Sequence, residues 1–309
     1  MTRIYYTLFL SFFFWTAVNA QQLPHRNAFA TADFIWNPAI TAVSEYLDWG
    51  ITYRQQWLGF EGAPSTATAH FQFPFINNNM SAGAWAMVDE AGPLQNYQAG
   101  GSYAYKLNLG YSGQISIGFS AHISQLQFDG QKLPSTDIGD PLLLERRSTA
   151  LAPNAGLGIF YVSNTEMYTL NDNGFFIGIG SQQLLSSTLS FDEEVKKFSL
   201  TQALHANALI GARFINGFSF FEPSLWVDYA QKGLLYARGN ILFEQEDTFW
   251  AGGSMASDYS LSVQGGLILS NWLGSGSLRI GGMGTYNIGT LGQYQGAGFE
   301  VMVVYRYWR

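Results

Sequence analysis

Residues 114–124 read Gln114-Ile115-Ser116-Ile117-Gly118-Phe119-Ser120-Ala121-His122-Ile123-Ser124, an alternation without a break. Ile115, Ile117, Phe119, Ala121 and Ile123 fall on one face of a strand, while Gln, Ser, Gly and His fall on the other, a period of two. A half-buried strand of a water-soluble protein shows Lys and Glu on its polar face. Here that face is small and uncharged, which suits a polar lumen with lipid against the apolar side. The pattern recurs. Tyr259, Leu261, Val263, Leu267 and Leu269 oppose Ser260, Ser262, Gln264 and Ser270, and Trp49, Ile51 and Tyr53 oppose Asp48, Gly50, Thr52 and Arg54. Near the C-terminus Phe299, Val301, Val303, Tyr305 and Tyr307 oppose Glu300 and Arg306.

Composition agrees. Of 309 residues only 12% are charged, against ~25% in ordinary soluble domains, while 47% are hydrophobic and 34 are glycine. No uninterrupted apolar run of ~18 residues follows residue 20, which excludes a bundle of transmembrane helices. The absence of cysteine excludes disulfides and thiolate metal sites. A net charge of −7 argues against a nucleic-acid partner. Lipid offers no hydrogen bonds, so spanning strands must close into a ring. The expectation is an all-β fold: an antiparallel, transmembrane outer-membrane β-barrel of about fourteen strands, embedded in outer-membrane lipid. The strands are expected near 46–57, 65–74, 80–89, 95–109, 113–128, 153–163, 174–185, 199–215, 217–230, 234–246, 247–257, 259–270, 277–288 and 296–308.

Residues 1–20 read as a secretory signal peptide: Arg3 supplies the basic end, an apolar run follows, and Val18-Asn19-Ala20 is a small-x-small site for cleavage near Ala20. Residues 21–45 form an expected periplasmic N-terminal lead, and 46–309 the barrel. Tight turns at 77–79, 110–113 and Asn216-Gly217 belong to the periplasm, and the longer links 129–152 and 186–198 to the outside. Trp49, Tyr105, Tyr229, Trp272 and Tyr305 fit the aromatic girdles of any such barrel.

Arg54-Gln55-Gln56-Trp57, followed by Gly59-Phe60 and Gly62-Ala63-Pro64, is a specific block. Asn37-Pro38-Ala39 precedes it. Asp89-x-x-Gly92-Pro93, Ser102-Tyr103-Ala104-Tyr105, Asp140-Pro141, Gly156-x-Gly158, Phe176-Ile177-Gly178, Pro223-Ser224-Leu225-Trp226 and Phe249-Trp250-Ala251-Gly252 follow in order. This series resembles the PorP/SprF family, outer-membrane proteins of the type IX secretion and gliding machinery of Bacteroidetes. Two positions depart from the family pattern: Ile40-Thr41-Ala42 replaces an aromatic-Ala-Gly, and Phe299-Glu300 replaces a His-Glu. The resemblance implies a non-enzymatic component of the secretion system. Its partners would be translocon subunits, a secreted cargo protein or adhesin, and periplasmic ring proteins, with no cofactor. The rival reading is a passive porin for small solutes.

Two surfaces are candidate partner sites. Residues 54–64 leave the first strand and read either as a docking surface or as a pinned hairpin, with Arg54 facing the lumen and in need of a carboxylate. The long link places Asp140, Pro141, Leu142, Leu143 and Leu144 among charges, an apolar run that folds back on the barrel or meets a partner. Lumen-facing ions of both signs (Arg54, Lys106, Arg213, Arg238, Arg279, Arg306, Asp48, Asp228, Glu244, Glu300) point to a cross-linked or plugged lumen rather than a charge-selective pore. Enzyme motifs are lacking: no His-Glu-x-x-His, phosphate loop or Gly-x-Ser-x-Gly occurs. His122 and His205 fall on lumen faces among serines, so a Ser-His-acid trio stays open as a minor reading. Asp129, Asp137 and Asp140 lack EF-hand spacing for Ca²⁺.

Overall fold

The computed structural model describes residues 32–75, 79–110, 113–132, 146–168, 170–191, 198–231, 234–272, 274–289 and 296–307. The expected signal peptide and Asp140, Pro141, Leu142, Leu143 and Leu144 lie outside the described residues. Fourteen strands close a ring: β1 Leu47–Gln55, β2 Ser65–Pro74, β3 Met80–Ala91, β4 Leu94–Asn108, β5 Gln114–Asp129, β6 Ala152–Val162 and β7 Gly174–Gln183 form the first half. The second half is β8 His205–Asn216, β9 Ser219–Ala230, β10 Leu234–Gln245, β11 Phe249–Ala256, β12 Ser260–Trp272, β13 Gly276–Asn287 and β14 Ala297–Tyr307. Every neighbour is antiparallel and next in sequence. The seam is sealed by β1 against β14, from Leu47↔Tyr307 to Gln55↔Phe299. Closure leaves no sheet edge to face lipid.

Burial is inverted relative to a soluble domain, as the alternation requires. Outward Ile117 and Val263 are 51% and 73% exposed, while inward Ser116 and Gln264 are 1% and 5%. An apolar belt of β-branched and aromatic side chains thus surrounds a lumen of Thr, Ser, Gln and Asn. At Asn216-Gly217 the tight turn sits where the sequence places it, with Gly217 at φ +61° turning β8 into β9, while residues 76–78 and 111–112 of the other two expected turns lie outside the described residues.

Two stretches differ from expectation. The strand expected over 199–215 is two elements: Phe198–Thr201 pairs with Thr188–Phe191 in a separate hairpin, and β8 begins at His205. The alternation runs through both pieces, so only tertiary packing separates them. Leu189 and Phe191 of the hairpin cover Leu126 and Ala152. The buried Gln202 between the pieces donates to Ser124 Oγ (2.7 Å) and accepts from Asn154 Nδ2 (2.8 Å). Within the 129–152 link, Arg146–Ser148 adds a short strand to the end of β5, and Arg146 pairs with Asp129 at 2.9 Å.

The lead expected over 21–45 is described only from residue 32. Its described part forms two 3-10 turns, Asp33–Ile35 and Pro38–Ala42, packed inside the ring against β4, β5 and β6.

Candidate functional site

The end of the barrel at which β1 finishes and β14 starts carries the Arg54–Pro64 block. Gln55 Nε2 donates to the carbonyls of Ala63 (3.2 Å) and Pro64 (3.3 Å), and the Gln56 N–H donates to Pro64 O (2.9 Å). The link is tied on both flanks. Leu58 N–H reaches Ala297 O on β14 (2.8 Å), and the Gly92 N–H of the β3–β4 turn reaches Gly62 O (2.8 Å). Gly62 stands at φ +71°, where a Cβ would sit 3.1 Å from Gly92 Cα. Trp57 takes φ +50°, rare for a bulky residue, and its ring is partly exposed. Below this rim Arg54 is buried, directly across from Glu300 on β14 and Thr66 on β2. Thr66 donates to Asp89 Oδ1 (2.7 Å), and the Arg54 charge interacts with both Glu300 and Asp89. The inward carboxylate that the sequence demands for Arg54 has its counterpart in Glu300, its register partner on β14.

Deeper in the bore lies a feature that residue patterns did not reveal. Asn37 caps the second 3-10 turn, its Oδ1 accepting from Ala39 N–H (3.0 Å), while its amide reaches Ile179 O (3.2 Å) and Ile159 O (3.4 Å) on neighbouring strands. The wall beneath is glycine. A Cβ on Gly158 would lie 1.9 Å from Asn37 Oδ1, and one on Gly118 would lie 2.3 Å from Pro38 C. Only a side-chain-free wall admits the turn this closely. Around it Ser116 Oγ donates to Ala39 O (2.8 Å), Asn207 Nδ2 to Trp36 O (2.8 Å) and Gln72 Nε2 to Thr41 O (2.9 Å), and Thr41 shares a hydrogen bond with Ser102 (2.8 Å). Ala39 and Val43 pack with Phe160, Phe176, Leu209 and Trp226. The short motifs scattered along the chain converge here: Asn37-Pro38-Ala39, Ser102, Gly158, Phe176, Gly178 and Trp226 are parts of one seat. The signal available in the sequence was the glycine at inward positions of three successive strands.

The opposite wall contributes Trp250, Ile268, Met283, Met302 and Val304, a buried cluster on β11 to β14. Turn and cluster divide the lumen. Toward the Trp57 rim lies a cavity of about 610 Å³, with Trp36 in its floor and Arg54, Asp89, Asn207, Asp228 and Arg238 in its walls. Toward the end where β1 begins lies one of about 430 Å³, walled by Arg213, Glu222, Glu244, Arg279 and Arg306. The ions are cross-linked. Arg213 bonds Glu222 (2.7 Å), Arg279 bonds Glu244 (3.0 Å) and Lys106 bonds Glu45 (3.1 Å). Asp48 accepts from both His70 and Arg306 at 2.8 Å.

No catalytic trio assembles around His122. Its ring packs on Trp85 at 5.6 Å between centroids, and neither ring nitrogen has a hydrogen-bond partner. Among the described residues no cluster of His, Asp and Glu could hold a metal ion. Asp129 is taken by Arg146 and by the N–H of Gln131.

Comparison with known proteins gives the same fold and adds a family. A family model described as type IX secretion system membrane protein PorP/SprF matches residues 18–305. No curated protein matches the chain. Among solved structures it resembles the monoaromatic hydrocarbon channel CymD, with a TM-score of 0.56, 10% identity, and 93% and 95% of the two chains covered. It also resembles the Ralstonia pickettii toluene transporter TbuX (0.54, 11%, 91% and 94%) and the P. putida toluene transporter TodX (0.52, 10%, 91% and 94%). At such identities the likeness speaks for the outer-membrane barrel fold alone.

Proposed function

Since the chain belongs to the PorP/SprF family of type IX secretion system membrane proteins, we propose that it serves that system by binding rather than by chemistry, docking a secreted protein at the Trp57 end of the barrel. That end faces the exterior in this reading, and the end where β1 starts and β14 finishes faces the periplasm and the remaining translocon components. The observation that carries the reading is the ordered rim over a 610 Å³ cavity: a hairpin tied to both neighbours, with a bulky aromatic held at φ +50°. Unusual backbone held by its surroundings is characteristic of binding sites. The rival, a passive porin, is disfavoured because turn and cluster occupy the middle of the bore. Asp140, Pro141, Leu142, Leu143 and Leu144 remain a second candidate surface for the same partner.

The test is affinity purification of tagged protein from native outer membrane. A secreted protein or translocon subunit should accompany the wild type. It should be lost from Trp57→Ala, or from a protein whose residues 133–145 are replaced by a Gly-Ser linker, at unchanged barrel abundance. Recovery of the barrel without either class of partner would overturn the docking role.

A further inference from the structure

We propose that residues 33–44 are a displaceable plug, and that the two lumen cavities are halves of one conduit that opens when the plug leaves its glycine-lined seat. The first ground is the position of the turn. Trp36 lies in the floor of one cavity, while Asp33, Ile40, Val43 and Ser44 line the other, so this segment is the partition on the β3–β8 side. The second is how the segment is held. Residues 36–43 carry no charge, and their bonds to the barrel are neutral hydrogen bonds and apolar contacts, the charged flanks being Asp33 and Glu45, which pairs with Lys106 at 3.1 Å.

The third ground is that the segment carries much of its own backbone pairing, with the carbonyls of Trp36, Ala39 and Thr41 taking their donors from wall side chains. Asn37 N–H donates to Asp33 O, Ile40 N–H to Asn37 O and Val43 N–H to Ile40 O, each at 3.0 Å. It can leave as a unit with these bonds intact, and the strands of the seat stay paired in the sheet ladder. Side-chain partners such as Ser116 and Asn207 would exchange the plug for water. Burial of Phe34, Ile35, Ala39 and Val43 keeps the seated state favoured. The joined conduit would be lined by paired Arg and carboxylate groups of both signs. Such a lining passes water and small hydrophilic solutes without selecting a charge.

The test uses the purified full chain in planar bilayers. Wild type should be closed nearly all the time. Gly158→Val fills the space held by Asn37 while leaving the strand ladder intact, and should raise the open fraction at least tenfold. The chain contains no cysteine, so Thr41→Cys reports plug exposure directly. A bilayer-impermeant maleimide should label it at least tenfold faster in the Gly158→Val background than alone. Folding is checked by the mobility shift on SDS gels with and without heating. Should Gly158→Val fail that check, Asn37→Ala, which removes the contacts to Ile159 and Ile179, is put through both measurements with the same expectation. A folded variant that stays closed with Thr41→Cys protected overturns the proposal, as does a wild type that conducts steadily. No secreted partner enters these measurements, so their failure leaves the docking reading standing.

Discussion

Replacing Asp48 by Asn should weaken the closure of the ring itself. Asp48 stands on the first strand and is the register partner of Arg306 on the last. Its carboxylate accepts from Arg306 Nε at 2.8 Å and from His70 Nε2 on the second strand at 2.8 Å, with only 4% of the side chain exposed. Two unit charges ~4 Å apart at an effective dielectric of ~20 attract by about 4 kcal/mol. Removing one member of a buried pair typically costs about 3–5 kcal/mol, because the other is left uncompensated. Two features lower that figure here. Asn keeps the shape and one acceptor, and Arg306 borders the 430 Å³ cavity. A loss of about 2–3 kcal/mol is expected on this basis. It would be read from guanidinium unfolding of protein folded in phospholipid vesicles, followed by tryptophan fluorescence and gel mobility. A double-mutant cycle with Arg306→Met should show coupling of at least about 1 kcal/mol, since the residues touch. A loss below about 0.5 kcal/mol for Asp48→Asn, or additivity within that margin, would mean that the seam is held by its backbone ladder alone.

Other perturbations separate the faces and the rim. Ile117→Lys places a cation against lipid and should cost about 2–4 kcal/mol near mid-depth, whereas Ser224→Lys, pointing into the 430 Å³ cavity, should cost under about 1 kcal/mol in the same unfolding assay. Equal losses from the two would reverse the assignment of faces. Gly62→Ala should destabilise by about 1–2 kcal/mol, from the left-handed backbone it must keep, and should loosen the hairpin to proteases at the Trp57 end. An unchanged cleavage rate there would show that the tie to Gly92 does not order the rim.

The strands and their faces were legible because one physical demand, lipid outside and polar groups inside, acts on every second residue. That inward Arg54 would need a carboxylate was legible from the same demand; that Glu300 on the last strand stands across from it was not. What escaped was whatever lacked a period. The 3-10 turns around Asn37 are too short to show one, and the glycines that receive them look in sequence like ordinary small lumen residues. The Phe198–Thr201 hairpin escaped for the opposite reason: its alternation continues into β8, and only the buried Gln202 marks the break. Motifs quoted as separate matches gained a common cause once folded. Asn37, Gly158 and Phe176 lie far apart in the chain and meet at one seat.

The β1–β14 seam has a consequence for assembly order. Residue 47 cannot find residue 307 until nearly the whole chain has been synthesised and the intervening strands have paired. Until then two strands present unmatched N–H and C=O groups, which neither lipid nor a neighbour can satisfy. Residues 33–44 directly precede β1, so the segment that fills the bore is tethered to the strand that completes the wall. The bore encloses it only when that wall is complete, so the final zippering closes the ring and walls in the segment together. The enclosure of these residues and the pairing of the last strand, although at opposite ends of the sequence, thus depend on the same closure. A chain arrested before β14 would leave both an open edge and an unenclosed plug.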